Sequence, residues 1–301
     1  DIPSLHGKIA LVTGANSGLG YYASRALAHK GAHVIMASRS KERAQSALNQ
    51  ISNEIPKASI EFMVLDLSSM SSIHAFAGEV QQKFTQLDIL INNAGVMGIP
   101  RRTTADGFEM QFGTNHLGHF ALTGLMLNTL QSAPAGRVVN VSSMLHRSGK
   151  MNFDDLMGEK LYDPWGAYAQ SKLANLLFSY ELQRRLSAKK SAVISIAAHP
   201  GYASTNLQLV SAEMKGSKME RGLMQLANTL FAQPAEQGAL PELFAATAPY
   251  AQAGSFIGPD GWGGSRGFPV AVQSSERSYD LDSAQKLWQV SEELTGVSFS
   301  L

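Results

Sequence analysis

The chain has 301 residues, 44% apolar and 16% charged, with a net charge of +1. That composition is globular, with length enough for one large core, and without a basic run it excludes a nucleic-acid or anionic-membrane binder as the leading reading. The absence of cysteine excludes disulfides and thiolate metal sites.

Residues 1–7 carry no charged segment followed by an apolar one, and no apolar run reaches the ~20 residues of a bilayer span. The expectation is a soluble cytoplasmic protein. Lys8 to Thr13 is a short aliphatic run bounded by Gly14, which predicts a buried strand. It runs into Gly14-Ala15-Asn16-Ser17-Gly18-Leu19-Gly20, and helical periodicity follows over Tyr21 to Lys30. Strand, glycine-rich turn and helix form the context of a phosphate-binding turn. Gly14 permits the tight turn, Gly18 lets backbone approach a pyrophosphate, and Gly20 lets the helix pack close to the strand. The helix start then offers free N–H groups to the anion.

His33 to Ala37 reads as the second strand. An acidic residue after it would bind a ribose 2′-hydroxyl, whereas a cation would meet a 2′-phosphate. Ser38 and Arg39 stand there, which predicts NADP(H). Ser40 to Ile51 reads as an amphipathic helix and Ser59 to Leu65 as a strand closed by Asp66-Leu67. Asp66 could take an adenine amino group or simply cap the next helix, Ser69 to Phe84. Leu87 to Ile91 is a fourth strand ending in Asn92-Asn93-Ala94-Gly95, small residues that leave room for a ligand.

Thr104 to Leu130 reads as one long helix interrupted near Asn115, where a mid-helix Asn can bend the chain. His116 and His119 are read as structural, and no metal site is expected. Gly136 to Ser143 is a fifth strand with Ser142 and Ser143 at its end; Met144 to Ala167 is irregular; Ala192 to Ala198 is a sixth strand, ending at His199-Pro200-Gly201. Residues 202–233 break the rhythm with a Met-rich stretch that suits a core or a substrate lid. Beyond it come a helix over Gln233 to Ala248, a short strand at Phe256-Ile257, a glycine-rich loop over Gly258 to Gly267, and a helix over Ser283 to Leu294. Strands alternating with helices predict a single α/β domain over 1–301. Its core is a doubly wound parallel sheet of about seven strands, with helices on both faces and a C-terminal extension over 258–301.

Tyr168 and Lys172 head an apolar helical run, four residues apart and therefore on one face. A neighbouring ammonium favours the phenolate and would bring the phenol toward a usable acidity. Gly263-Gly264-Ser265-Arg266-Gly267 matches the G-x-S-x-G elbow of hydrolases, but no His follows His199 to complete a triad and no apolar strand runs directly into Gly263.

Thr13-Gly14-x3-Gly18-x-Gly20, Asn92-Asn93-Ala94-Gly95, Asn115, Ser143, Tyr168-x3-Lys172 and Pro200-Gly201-x3-Thr205 stand in register over roughly residues 7–260. Together they resemble the short-chain dehydrogenase/reductase family. Asn115-His116-Leu117-Gly118-His119-Phe120 and Tyr168-Ala169-Gln170-Ser171-Lys172-Leu173-Ala174-Asn175 look like the branch with retinol dehydrogenases, WW-domain oxidoreductase and light-dependent protochlorophyllide reductase, which tends to carry a long insert such as the 25-residue gap from Ser143 to Tyr168. The resemblance implies hydride transfer between a nicotinamide and an apolar carbonyl or alcohol. In it Tyr168 is the proton donor, Lys172 tunes Tyr168 and holds the nicotinamide ribose, and Ser143, favoured over Ser142, binds the carbonyl oxygen. Asn115 holds a relay water. Asn16, Ser17, Leu19, Asn93, Ala94, Gly95, Pro200, Gly201 and Thr205 are implied to contact the cofactor. The resemblance also implies a homo-oligomer paired through the helices of Asn115 and Tyr168, with a monomer left open by the insert and the C-terminal extension. The rival is a catalytically silent NADP(H) sensor, although such proteins usually lose the Tyr or the Lys.

Overall fold

The computed structural model describes residues 1–203 and 232–301, with the Trp262 side chain excepted. Among the described residues one sheet has eight strands in the order β3-β2-β1-β4-β5-β6-β7-β8. They are β1 Ile9–Thr13, β2 His33–Ser38, β3 Ser59–Val64, β4 Ile89–Asn92, β5 Arg137–Val141, β6 Ile194–Ala198, β7 Phe256–Gly261 and β8 Arg266–Ala271. β1 to β7 are parallel and β8 runs antiparallel to β7. The order reverses direction between β1 and β4, which opens a crevice beyond their carboxyl ends.

The central strands read as continuous aliphatic runs because both faces are covered. Val12, Val34, Met36 and Ile91 face one core with α1 (Gly18–His29) and α2 (Lys41–Glu54). Leu11, Ile35 and Leu90 face the other, with α3 (Met70–Lys83), α5 (Gly118–Gln131) and α6 (Pro164–Ala188). The Ser40 and Ser69 hydroxyls accept from Arg43 N and Ser72 N, so each caps its helix.

Several expectations need correction. The long helix does not begin at Thr104. A short turn α4 (Met110–Phe112) leads into a π-helical turn, Gly113–Leu117, and then α5, so Asn115 sits in a local over-wide turn. The irregular stretch before Tyr168 ends sooner than expected, because the Asp163 carboxylate accepts from Gly166 N at 2.6 Å and Pro164 occupies the first helical position. The helix expected over 233–248 is two pieces, α7 (Ala235–Gly238) and α8 (Leu240–Thr247). The glycine-rich loop at 258–267 is largely the β7–β8 hairpin, which adds the eighth strand. A strand therefore does lead into the G-x-S-x-G match, but an antiparallel strand follows it and not the helix an elbow requires.

Helix α6 is buried around its whole circumference from Tyr168 to Leu182. The sheet covers one side and α9 (Leu281–Thr295) the other, with Trp288 packed edge-on and tilted among Phe120, Phe178 and Phe299. None of the described helices is long and apolar enough to cross a membrane.

Candidate active site

The crevice at the β1–β4 reversal is lined on one lip by Gly14, Asn16, Ser17, Gly18 and Leu19, and on the other by Asn93, Ala94, Gly95, Val96, Met97 and Thr114. Gly14 and Gly18 have φ of +67° and +56°, which ordinary side chains rarely adopt. A Cβ on Gly20 would lie 2.5 Å from Asn93 Nδ2 and 2.6 Å from Gly14 O, so Gly20 supports the turn from beneath. Ser17 makes no side-chain cap, which leaves the first N–H groups of α1 to other acceptors. These features fit a pyrophosphate. Gly20→Ala is expected to weaken dinucleotide binding about tenfold, because the turn must shift by several tenths of an ångström to admit a methyl group. Titration of NADPH fluorescence measures it, and unchanged affinity would refute the close-packing account.

Ser38, Arg39, Ser40 and Arg43 close the far end of the crevice. The Ser38 hydroxyl is buried with no hydrogen-bond partner, as a group awaiting an anion would be. Sequence reasoning missed Arg43. The signal was its position one turn into a helix capped by Ser40, on the side where Arg39 already stood. Asp66 and Leu67 line the floor. Asp66 does not cap α3, since Ser69 does; its Oδ1 instead accepts from Ser68 N at 2.9 Å and Ser68 Oγ at 2.6 Å.

Helix α6 carries Tyr168 and Lys172, 5% and 4% exposed, and sets Lys172 behind Gly95 on the lip of this crevice. Lys172 Nζ lies 5.7 Å from the Tyr168 ring centre and donates to Val141 O at 3.0 Å. Ser143 Oγ accepts from Leu145 N at 3.2 Å and is close enough to the Tyr168 phenol to pull its acidity the other way from burial. Ser142 is turned away, its hydroxyl donating to Lys172 O at 2.8 Å, so the second serine is the one beside the phenol. Asn115 Oδ1 accepts from Val96 N at 2.8 Å, while its Nδ2 donates to Val96 O and Ser171 Oγ, each at 2.9 Å. The lip segment is thereby pinned to the π turn. A Cβ on Gly95 would meet Asn115 Oδ1 at 3.0 Å and Lys172 Nζ at 3.7 Å, so these groups converge on one point.

The electrostatics differ from the expectation. Burial pushes the Tyr168 phenol up to about 12, against a smaller downward pull from Ser143. Burial likewise lowers Lys172 to about 8, and the Glu242 carboxylate opposes that fall. Desolvation therefore outweighs the ammonium in setting the acidity of the phenol.

Pro200 and Gly201 follow β6 and are held by Gln233 Nε2, which donates to Pro200 O at 2.7 Å. Tyr202 N bonds Ser265 O at 2.7 Å in the β7–β8 hairpin. Thr205 and the Met-rich part of the expected lid lie outside the described residues. Among the described residues no three His, Asp or Glu side chains gather to hold a metal. His116 Nε2 bonds Ser291 Oγ at 2.8 Å, joining its helix to α9.

Fold and site together define a doubly wound α/β oxidoreductase with a dinucleotide crevice. The short chain dehydrogenase family model matches residues 8–216. Retinol dehydrogenase 14 of Mus musculus is 39% identical over 97% of this chain and 87% of its own length. Polyprenol dehydrogenase of Danio rerio is 40% identical over 99% of this chain and 89% of its own. A crystal structure of an uncharacterized protein from Mycobacterium paratuberculosis superposes with a TM-score of 0.82 at 42% identity, covering 100% of this chain and 98% of that one. The chain belongs to the short-chain dehydrogenase family, in the branch of the retinol dehydrogenases. It is an oxidoreductase acting on CH–OH or C=O groups with a nicotinamide cofactor.

Proposed function

We propose that the chain is an NADP(H)-dependent oxidoreductase of bulky apolar carbonyls and alcohols. The observation that carries this is the crevice itself. It has Arg39 and Arg43 at one end, and behind Gly95 on its other lip stands Lys172, on the same helix as Tyr168. A bound nicotinamide supplies or accepts the hydride at its C4. Tyr168 donates its phenolic proton to the oxygen that becomes an alkoxide, and Ser143 hydrogen-bonds the same oxygen where charge grows. The Lys172 ammonium stabilises that charge and is positioned for the nicotinamide ribose hydroxyls. A phenol held near 12 stays protonated at neutral pH, the state that can donate to a carbonyl oxygen.

Met97 lines the lip, Met144 and Leu145 directly follow Ser143, and the Trp165 ring meets Tyr168 edge-on at 6.5 Å, so apolar side chains flank the reacting group. Retinol and polyprenols, named for the two relatives, are both isoprenoid alcohols, and an isoprenoid alcohol or its aldehyde suits these side chains. Since α9 and Phe299 cover the outer face of α5 and α6, we infer that subunits do not pair through those helices.

Replacing Arg39 and Arg43 together by Ser is expected to weaken NADPH binding by at least about tenfold, since hydrogen bonds to a charged group are worth ~1.5–3 kcal/mol each before screening at exposed sites. NADH binding should stay as it was. Parallel titrations decide the matter, and an equal loss for both cofactors would reject the 2′-phosphate assignment.

A further inference from the structure

His119 is 2% exposed and takes no part in the chemistry described above. It stands on α5 with both ring nitrogens engaged. Nδ1 lies 3.0 Å from Asn115 O, and Nε2 lies 2.9 Å from Thr13 Oγ1. A carbonyl oxygen can only accept, so Nδ1 carries the hydrogen. In the neutral ring Nε2 is then the acceptor, and the Thr13 hydroxyl donates to it. The alternative acceptor for that hydroxyl, Ile91 O, is farther away at 3.3 Å. Thr13 Oγ1 in turn accepts from Asn93 N at 2.9 Å and Ala94 N at 3.0 Å. The result is one directional chain of bonds: from the amides of the crevice lip, through Thr13 and His119, to the main-chain carbonyl of Asn115.

We propose that His119 is a positioning residue that couples the cofactor-facing lip after β4 to the π turn carrying Asn115. The Asn115 side chain fixes the next part of the same lip, at Val96, and sits beside Lys172. His119 completes a closed frame around that point, fastened at β1, at the lip and at the π turn. Only a group offering a donor on one side and an acceptor on the other fits between Asn115 and Thr13. Burial and the Lys172 charge both hold the imidazole neutral, at about 4, so this polarity persists over the working pH range. The proposal rests on reading the crevice as a dinucleotide site.

Three substitutions separate the two bonds. His119→Asn places an amide where Nδ1 stood and keeps the bond to Asn115 but not the one to Thr13. His119→Gln reaches the Nε2 position and keeps the bond to Thr13. His119→Phe keeps neither. Each is assayed for NADPH affinity by fluorescence titration, for kcat at saturating NADPH with a retinal-type aldehyde, and for thermal midpoint. His119→Asn is expected to weaken NADPH binding about tenfold with kcat within about twofold of the parent, and His119→Gln the reverse, as small displacements at a reacting centre cost that much. His119→Phe should show both losses. If affinity and kcat fall in equal proportion in all three, following the thermal midpoint, or if none changes, the coupling role is overturned. A parent chain that fails to bind NADPH would instead overturn the dinucleotide reading, and this proposal with it.

Discussion

Tyr168→Phe is expected to lose about 10²–10⁴-fold in turnover while NADPH binding is retained, because a positioned general acid contributes that much. The ring remains to fill its buried place, and only the hydroxyl beside Ser143 is removed. Steady-state reduction of an apolar aldehyde, followed as NADPH consumption, gives the first number. Fluorescence titration of NADPH gives the second. Turnover near that of the parent would remove Tyr168 from the mechanism. The pH dependence follows from the same site. The phenol, at about 12, is protonated throughout the usual range, so it does not set the alkaline limb. Lys172, at about 8, is charged below that pH and neutral above it. Reductive kcat should therefore fall as pH rises through about 8 and stay flat below it.

Much of this was legible in the sequence, and the reasons are specific. β1, β2 and β4 announce themselves because both faces of a central parallel strand are buried, which leaves polar residues only at the strand ends. Gly14, Gly18 and Gly20 are legible because their spacing serves one backbone shape. Tyr168 and Lys172 are legible because four residues make one helical turn. What escaped was set by tertiary contacts. β8 contains Gly267 and Pro269 and leaves Phe268 72% exposed, so it carries neither alternation nor a buried run; its pairing with β7 alone makes it a strand. The interruption at Asn115 was legible from an Asn in mid-helix, but its form, a π turn, was not. His119 looked like a core histidine, and it is one, but only the coordinates show which two groups it joins. The direction of the Tyr168 shift was misjudged because spacing reveals the ammonium and conceals the depth of burial, which is the larger effect here.

Glu242 is the clearest case of a residue the sequence disguised. In Leu240-Pro241-Glu242-Leu243 it reads as an acidic residue in the solvated first turn of a helix, favourable to the dipole. In the structure it is 2% exposed, and neither carboxylate oxygen has a hydrogen-bond partner. Burial pushes its acidity up to about 8, opposed by the charge of Lys172. The unfolded chain would ionise the same group near 4.5. A folded value above the unfolded one means that the cost is absent below about 4.5, grows as pH rises, and is complete above about 8. Lys172 behaves oppositely: its cost is full below about 8 and fades toward 10.5. The two together place a minimum of stability near pH 8, and because they interact, the apparent values belong to the pair. Glu242→Gln removes the acidic part. The variant should gain on the order of 3 kcal/mol over the parent at pH 8, and little or nothing at pH 4.5, part of the gain being offset where Lys172 loses its counter-charge. Urea unfolding of both chains at the two pH values measures the difference of differences. A gap of the same size at both would show that the buried carboxylate is satisfied by some other means and does not titrate between them.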